Sequence, residues 1–173
     1  MLFRSGITHG WYLARIGRFQ DAVQQMISTS EVMYRAKTYM ARPLLISSFM
    51  DVHLMAGQID EGIQIFHKEL EEHPITGERI IEPEIRRLCG ELHLAQDDSQ
   101  QAEQEFQLAL NIARQQEAKS LELRAGMSLA RLWQSQSKSQ EAHRMLSEIY
   151  NWFTEGFDTP DLQEAKALLE ALS

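Results

Sequence analysis

Cysteine is nearly absent: Cys89 stands alone in 173 residues. An internal disulfide is therefore excluded, and the usage fits a reducing cytosol. Proline is scarce as well, with four residues, so few points along the chain are closed to helix. No stretch has the unbroken apolar length of a membrane span, and the opening MLFRSGITHGWYLAR has no continuous apolar run leading to a small-residue cleavage site. Neither membrane insertion nor a signal peptide is expected. Missing too are the GxxxxGK[ST] phosphate loop, the CxxC and HExxH metal patterns and any glycine-rich strand–turn–helix element. With them go the commonest routes to nucleotide and metal chemistry. The sequence names no catalytic residue, no metal and no cofactor, and a cytoplasmic protein is expected.

What remains is a helix-forming composition. Hydrophobic residues make up 43%, enough for one packed domain and too many for disorder. Ala, Leu, Glu, Gln, Arg and Met dominate. The net charge of -8 disfavours nonspecific binding to nucleic acid or an anionic membrane. That charge is uneven. Residues 1–42 hold six basic groups (Arg4, Arg15, Arg18, Arg35, Lys37, Arg42) against Asp21 and Glu31, a surplus of +4 that leaves -12 for the remainder. A solvated basic face is the simpler reading. A contact surface for an acidic partner, or for another part of a larger chain, is the sharper one.

The chain has a beat. Four segments align: LARIGRFQDAVQQM (13–26), LMAGQIDEGIQIF (54–66), LAQDDSQQAEQEF (94–106) and WQSQSKSQEAHRML (133–146). The turn residues Gly17, Gly57, Asp97 and Ser137 recur at intervals of 40, and so do the small residues Ala22, Gly62, Ala102 and Ala142. Four positions after each small residue comes a large apolar one: Met26, Phe66, Phe106, Leu146. Gly, Asp and Ser tolerate a tight turn between helices. The small residue predicts close approach of the second helix to the first, and the large one predicts filling between neighbouring pairs. One such pair cannot bury its apolar stripe alone, so pairs stack into a solenoid.

The periodicity predicts helices over roughly 3–16, 19–36, 42–56, 59–73, 82–96, 99–117, 119–136, 138–154 and 161–172. No strand is convincing. The segment HPITGERIIEP (73–83) carries two prolines and a glycine, which predict a break. The expected fold is all-α: a right-handed α-solenoid of four antiparallel helix pairs plus a C-terminal capping helix. It forms a single domain over 1–173, with repeats at about 3–41, 42–81, 82–118 and 119–157 and the cap at about 160–172. At the end of the chain, Gly156 suits the left-handed position that closes a helix, with Phe157 folding back on Trp152. Thr159 then caps the last helix and Pro160 opens its first turn. Leu162, Ala165, Leu168, Leu169 and Leu172 form the stripe that covers the fourth pair. The aromatic cluster Trp152, Phe153 and Phe157 is expected in the core.

The turn and small-residue pattern resembles the tetratricopeptide repeat (TPR), with 40 residues in place of the usual 34. The second repeat fits well through Gly57, Ile59, Glu61 and Phe66. The third and fourth depart from the pattern, with Asp97 and Ser137 at the turn and Ser99 and Ser139 after it. The stretches EIRRLCGELHLA (84–95), AKSLELRAGMSLARLW (118–133) and YNWFTEGFDTPDLQEAKALLEAL (150–172) resemble the C-terminal repeat region of large bacterial signalling proteins that carry an adenylate or guanylate cyclase domain and a signal-transducing ATPase. The aromatic pair that this family commonly has near Ile80 and Ile81 is absent. Neither the cyclase nor the ATPase lies within these residues. The resemblance implies a noncatalytic interaction or scaffolding module, the sensing or regulatory part of a bacterial signalling protein. Its partner would be a protein or peptide, a cyclase or ATPase domain among them.

In tetratricopeptide arrays the first helix of each pair lines a concave groove. Alignment on the turns places Arg4, Trp11 and Arg15 there from the first repeat and Asp51 from the second. Glu84, Arg87 and Glu91 come from the third, Arg124 and Arg131 from the fourth. Mixed signs suit a polar peptide or another domain, although Arg87 and Glu91, four apart, can pair with each other. The basic–asparagine clamp that grips chaperone tails in some members is not reproduced. A first pair with its flank uncovered predicts self-association, a homodimer through the N-terminal repeat.

Two other classes compete. A free-standing regulator of transcription is one, since similar repeats occur in LuxR-type activators; without a helix-turn-helix or a basic helix, no direct contact with nucleic acid is expected. The other is an enzyme with a pocket at Cys89, His53 and His93. His53 and His93 are 40 apart and so occupy equivalent positions. The repeat equivalents of Cys89 are His9, Phe49 and Leu129, which marks a packing position and reads as a buried small hydrophobe.

Overall fold

The computed structural model describes residues 2–35, 42–76 and 80–173; the side chains of residues 2–4, 34, 42–43 and 69–76 lie outside that description. Among the described residues there are nine helices and no strand: α1 (Leu2–Arg15), α2 (Phe19–Arg35), α3 (Arg42–Ala56), α4 (Ile59–Thr76), α5 (Glu82–Ala95), α6 (Ser99–Gln115), α7 (Lys119–Ser135), α8 (Ser139–Tyr150) and α9 (Pro160–Leu172). Most bounds agree with the sequence reading to within about two residues, and two differ by more. Helix α4 continues to Thr76, past Pro74; a proline removes one helical hydrogen bond, and the turns before it hold the register. Helix α8 stops at Tyr150, and the chain leaves it through bonds from Trp152 N–H to the Ile149 carbonyl (3.3 Å) and from Phe153 N–H to the Tyr150 carbonyl (3.1 Å).

The four turns are built alike. Gly17, Gly57, Asp97 and Ser137 take left-handed φ values of 79°, 69°, 61° and 63°. In the first, Gly17 N–H bonds to Ala14 O and Arg18 N–H to Leu13 O, both at 2.9 Å. The same double bond recurs around Gly57, Asp97 and Ser137, so each first helix ends in a Schellman motif and reverses at once into its partner. A fifth such motif, centred on Glu117 at φ 55°, joins α6 to α7. The sequence reading missed it because glutamate is a poor left-handed residue.

Consecutive helices pack together all along the chain. The odd helices also touch one another in order, α1 with α3, α3 with α5, α5 with α7 and α7 with α9, whereas the described residues of the even helices form no such contacts. A double layer in which one row is close-packed and the other splayed must curve, with the odd helices on the inside. The small residues are buried, but their role differs from expectation. A Cβ on Gly62 would lie 2.9 Å from Leu92 of the next pair as well as 3.4 Å from the His53 Cβ of its own, so the small residue also admits a side chain from the following repeat. Conversely, the large residues sit inside their own pairs, Met26 over Gly10 and Phe106 over Gly90. Fully buried Met26, Phe106 and Leu146 anchor the core, each worth about 1.5–3 kcal/mol on transfer grounds.

Helix α9 packs on α7 and α8 through buried Leu162, Ala165, Leu168 and Leu172. Gly156 has a left-handed φ of 77°, but it lies within the link between α8 and α9 and closes no helix, because α8 already stops at Tyr150. Three further details of the ending differ from the sequence reading. Phe157 meets Tyr150 (5.9 Å between rings) rather than Trp152. Trp152 and Phe157 are 57% and 47% exposed, and only Phe153 joins the core. Thr159 stands at the N-cap, yet its hydroxyl donates back to Gly156 O at 2.7 Å and caps no helical N–H.

Candidate functional site

The inner row of helices brings the groove residues into one polar ladder. At its start the Trp11 indole N–H donates to Asp51 Oδ2 at 2.8 Å, across from α1 to α3, while the Arg15 guanidinium lies 5.2 Å from the Trp11 ring centroid. The Trp11 ring is thus held by both contacts and remains 41% exposed. The side chain of Arg4 lies outside the described residues.

The middle of the ladder is on α5. Arg87 grips Glu84 with two parallel bonds of 2.9 Å and reaches Glu91 at 3.3 Å. Ser128 of α7 donates to the same Glu91 oxygen at 2.6 Å. Arg124, also on α7, approaches Glu84 at 3.5 Å. Burial works against the charge on Glu84, but the guanidinium groups of Arg87 and Arg124 outweigh it and hold the carboxyl below its ordinary range. Burial likewise opposes the charge on Arg87, and Glu84, Glu91 and Asp51 together raise its pKa. Asp51, bonded to Trp11, reaches the α5 cluster through its charge alone and shares no hydrogen bond with it among the described contacts.

At the far end the ladder runs onto α9. Arg124 Nε donates to Asp161 Oδ2 at 2.7 Å and Arg131 to Glu164 Oε1 at 2.6 Å. Burial opposes Arg124 as well, and Asp161 and Glu84 raise its pKa despite the nearby Arg87. All eight groove residues with described side chains lie on the inner helices, and all have partners within the ladder. Sequence reasoning missed Ser128, Asp161 and Glu164. The signal was there: carrying the 40-residue beat one step past Arg124 lands on Glu164. Helix α9 both covers the fourth pair and continues the inner row of helices, through its contacts with α8 and α7.

The Cys89 pocket has a different character. Cys89 is fully buried, and its thiol is pushed up to about 12, by burial first and Glu105 second, with Arg86 opposing. Such a thiol is a packing group rather than a nucleophile at neutral pH. His53 is buried against Phe49, with ring centroids 5.3 Å apart. Burial lowers its pKa, partly offset by Gln58 and Glu61. The Nδ1 atoms of His53 and His93 are both buried without a hydrogen-bond partner. Among the described residues, no group of three or more His, Cys, Asp or Glu is placed to hold a metal ion, and no helix is long and apolar enough to cross a membrane.

The architecture matches known helical repeats. The chain has a TPR-like fold. Superposition on the nearly identical TPR-like repeats of a Podosopora anserina protein assigned as a kinesin light chain gives a TM-score of 0.70 at 17% identity, covering 98% of this chain and 84% of that one. A singly substituted form of those repeats gives 0.67 at 17% identity, over 98% and 92% of the two chains. At this identity the likeness concerns the fold. No family model and no curated protein matches the sequence. The nine helices of the described residues, the left-handed turns and the curved inner row are those of a right-handed TPR-like solenoid.

Proposed function

We propose that the inner face of the solenoid is a noncatalytic docking groove for a peptide or a neighbouring protein domain. The observation that supports it most is the row of inner-helix side chains from Trp11 to Glu164, continuous across five helices and graded in exposure. Glu84 and Arg87 are 14% and 18% exposed and set the frame, whereas Arg124 and Arg131, each 44% exposed, remain open to a partner. Exposed ion pairs contribute about 0–1 kcal/mol, so a partner can exchange them at little cost. Tryptophan and arginine at the two ends are the residue types that dominate protein interfaces.

The resemblance to the repeat region of cyclase–ATPase proteins suggests the setting: a cytoplasmic regulatory or sensing element in bacterial signalling, with a cyclase or ATPase domain as the partner. Affinity capture with wild type and with Arg124→Glu plus Arg131→Glu tests the groove. Loss of partners in the folded double variant supports it; identical partners contradict it.

Self-association through the first repeat is a secondary reading with its own support. Tyr12 is 57% exposed, whereas Val52, Leu92 and Leu132, which follow it at intervals of 40, are 1%, 0% and 3% exposed. Ile16, one turn on, is 51% exposed. A homodimer buries this edge of α1. Light scattering of wild type and Tyr12→Glu at high concentration decides: a dimer abolished by the substitution supports the reading, and a monomeric wild type removes it.

A further inference from the structure

The corner between α8 and α9 presents aromatic surface that neither the core nor the groove uses. Trp152 and Phe157 are 57% and 47% exposed. Tyr150 lies 5.9 Å from Phe157, and Phe153 stands edge-on to Trp152 at 5.2 Å, so the two exposed rings rest on two better-buried ones. A cation already sits on this surface: the Lys119 ammonium is 5.4 Å from the Trp152 ring centroid. The segment that forms the corner carries charge of one sign, between Arg144 and Lys166. Residues 145–165 contain Glu148, Glu155, Asp158, Asp161 and Glu164 and neither lysine nor arginine. Asp161 and Glu164 are taken by Arg124 and Arg131. Glu155 and Asp158 are exposed and form no ion pair among the described residues.

We propose that this corner is a docking surface for a lysine- or arginine-bearing segment of a partner protein, its cations set over Trp152 and Phe157 and balanced by Glu155 and Asp158. The electron-rich faces of the rings attract cations, indole most strongly. The carboxylates add to that attraction and repel acidic segments and nucleic acid. The surface uses none of the groove residues, so it stands or falls apart from the groove.

Titration of the isotope-labelled full chain with octa-arginine, followed by NMR, tests it, with octa-glutamate as comparator. The Trp152 indole N–H and the amides of 152–158 shift and saturate, while the Trp11 indole stays in place. Trp152→Ala plus Phe157→Ala leaves the net charge unchanged and weakens binding by about fivefold. Trp152→Leu, which keeps apolar contact with Phe153, weakens it as well and serves where the double variant misfolds. Glu155→Gln plus Asp158→Gln weakens it and flattens its salt dependence. Absence of saturable shifts, equal binding of octa-glutamate, or shifts spread over the whole acidic surface with undiminished affinity in the aromatic variants would overturn the proposal.

Discussion

Arg87 holds both carboxylate oxygens of Glu84 at 2.9 Å, in a groove wall where the two side chains are 18% and 14% exposed. The same wall contains Arg131 with Glu164, a shorter contact of 2.6 Å between side chains 44% and 57% exposed. Solvent exposure, rather than length, decides what each pair contributes. Arg87→Ala leaves the buried Glu84 carboxylate with only the longer Arg124 contact and destabilises the fold by about 2–4 kcal/mol. Arg131→Ala costs about 1 kcal/mol or less. Urea unfolding of the two variants, followed by circular dichroism, checks the contrast; equal losses would contradict it.

The repeated turns give a test free of packing effects. Nothing lies within 4 Å of a Cβ placed on Gly17 or Gly57, so Gly57→Ala reports the left-handed φ alone and lowers stability by about 1 kcal/mol. Asp97→Gly and Ser137→Gly relieve the same strain and raise stability by up to about 1 kcal/mol each, net of the added freedom of the unfolded chain. Thermal melts of the three variants should fall on opposite sides of the wild type.

Gly90 behaves differently. Its φ is unremarkable for a helix, but an added Cβ would meet the Phe106 ring at 2.4 Å. Phe106 is fully buried, so a shift of its ring disturbs the packing around it. Gly90→Ala overpacks the third pair and costs about 1–3 kcal/mol, although alanine is the better helix former. A variant as stable as wild type would show that the ring can move.

Acid acts through His53. Its folded pKa lies below the ordinary 6.5, chiefly because burial disfavours the charged ring. The unfolded chain therefore binds the proton more readily, and the contribution of neutral His53 is fully present above pH 6.5 and is lost as pH falls from there through the folded value. His53→Leu removes that part of the slope. Glu84 and Glu122 have carboxyls held below the ordinary 4.5, against burial, by Arg87 and Arg124 and by Lys119 and Arg114. Their contribution is lost at lower pH, below about 4.5. Melting temperature against pH for wild type and His53→Leu separates the two windows.

Cys89 reports on the compactness of the middle of the array. With a buried thiol pushed up to about 12, labelling by a disulfide reagent is slow in the native protein and fast in urea. Rapid native labelling would contradict its placement and reopen the enzymatic reading.

Much of this fold was legible because its physics is local and repeated. A turn residue five positions before a small one can be read directly, and Gly17, Gly57, Asp97 and Ser137 all stand at the helix reversals, where the structure gives them left-handed φ. That the candidate groove residues lie on the odd-numbered helices followed from the same register. What escaped depends on contacts across repeats. The ladder steps from Glu91 to Ser128 and from Arg124 to Asp161 by 37 residues, not 40, and only the tilt of neighbouring helices fixes that offset. Trp152 and Phe157 were misplaced in the core because composition marks an aromatic residue as apolar without saying whether a neighbour covers it. The left-handed Glu117 gave no signal, since nothing in its type favours that conformation.

The central claim is that partners engage the inner row of helices. Site-specific photo-crosslinking measures this most directly, with a benzophenone residue placed on the inner helices at Trp11 or Arg131 and on the outer helices at Leu108 or Glu148. The account predicts that one partner is captured from both inner positions and from neither outer one. Capture from the outer helices alone, or equally from both faces, would contradict it.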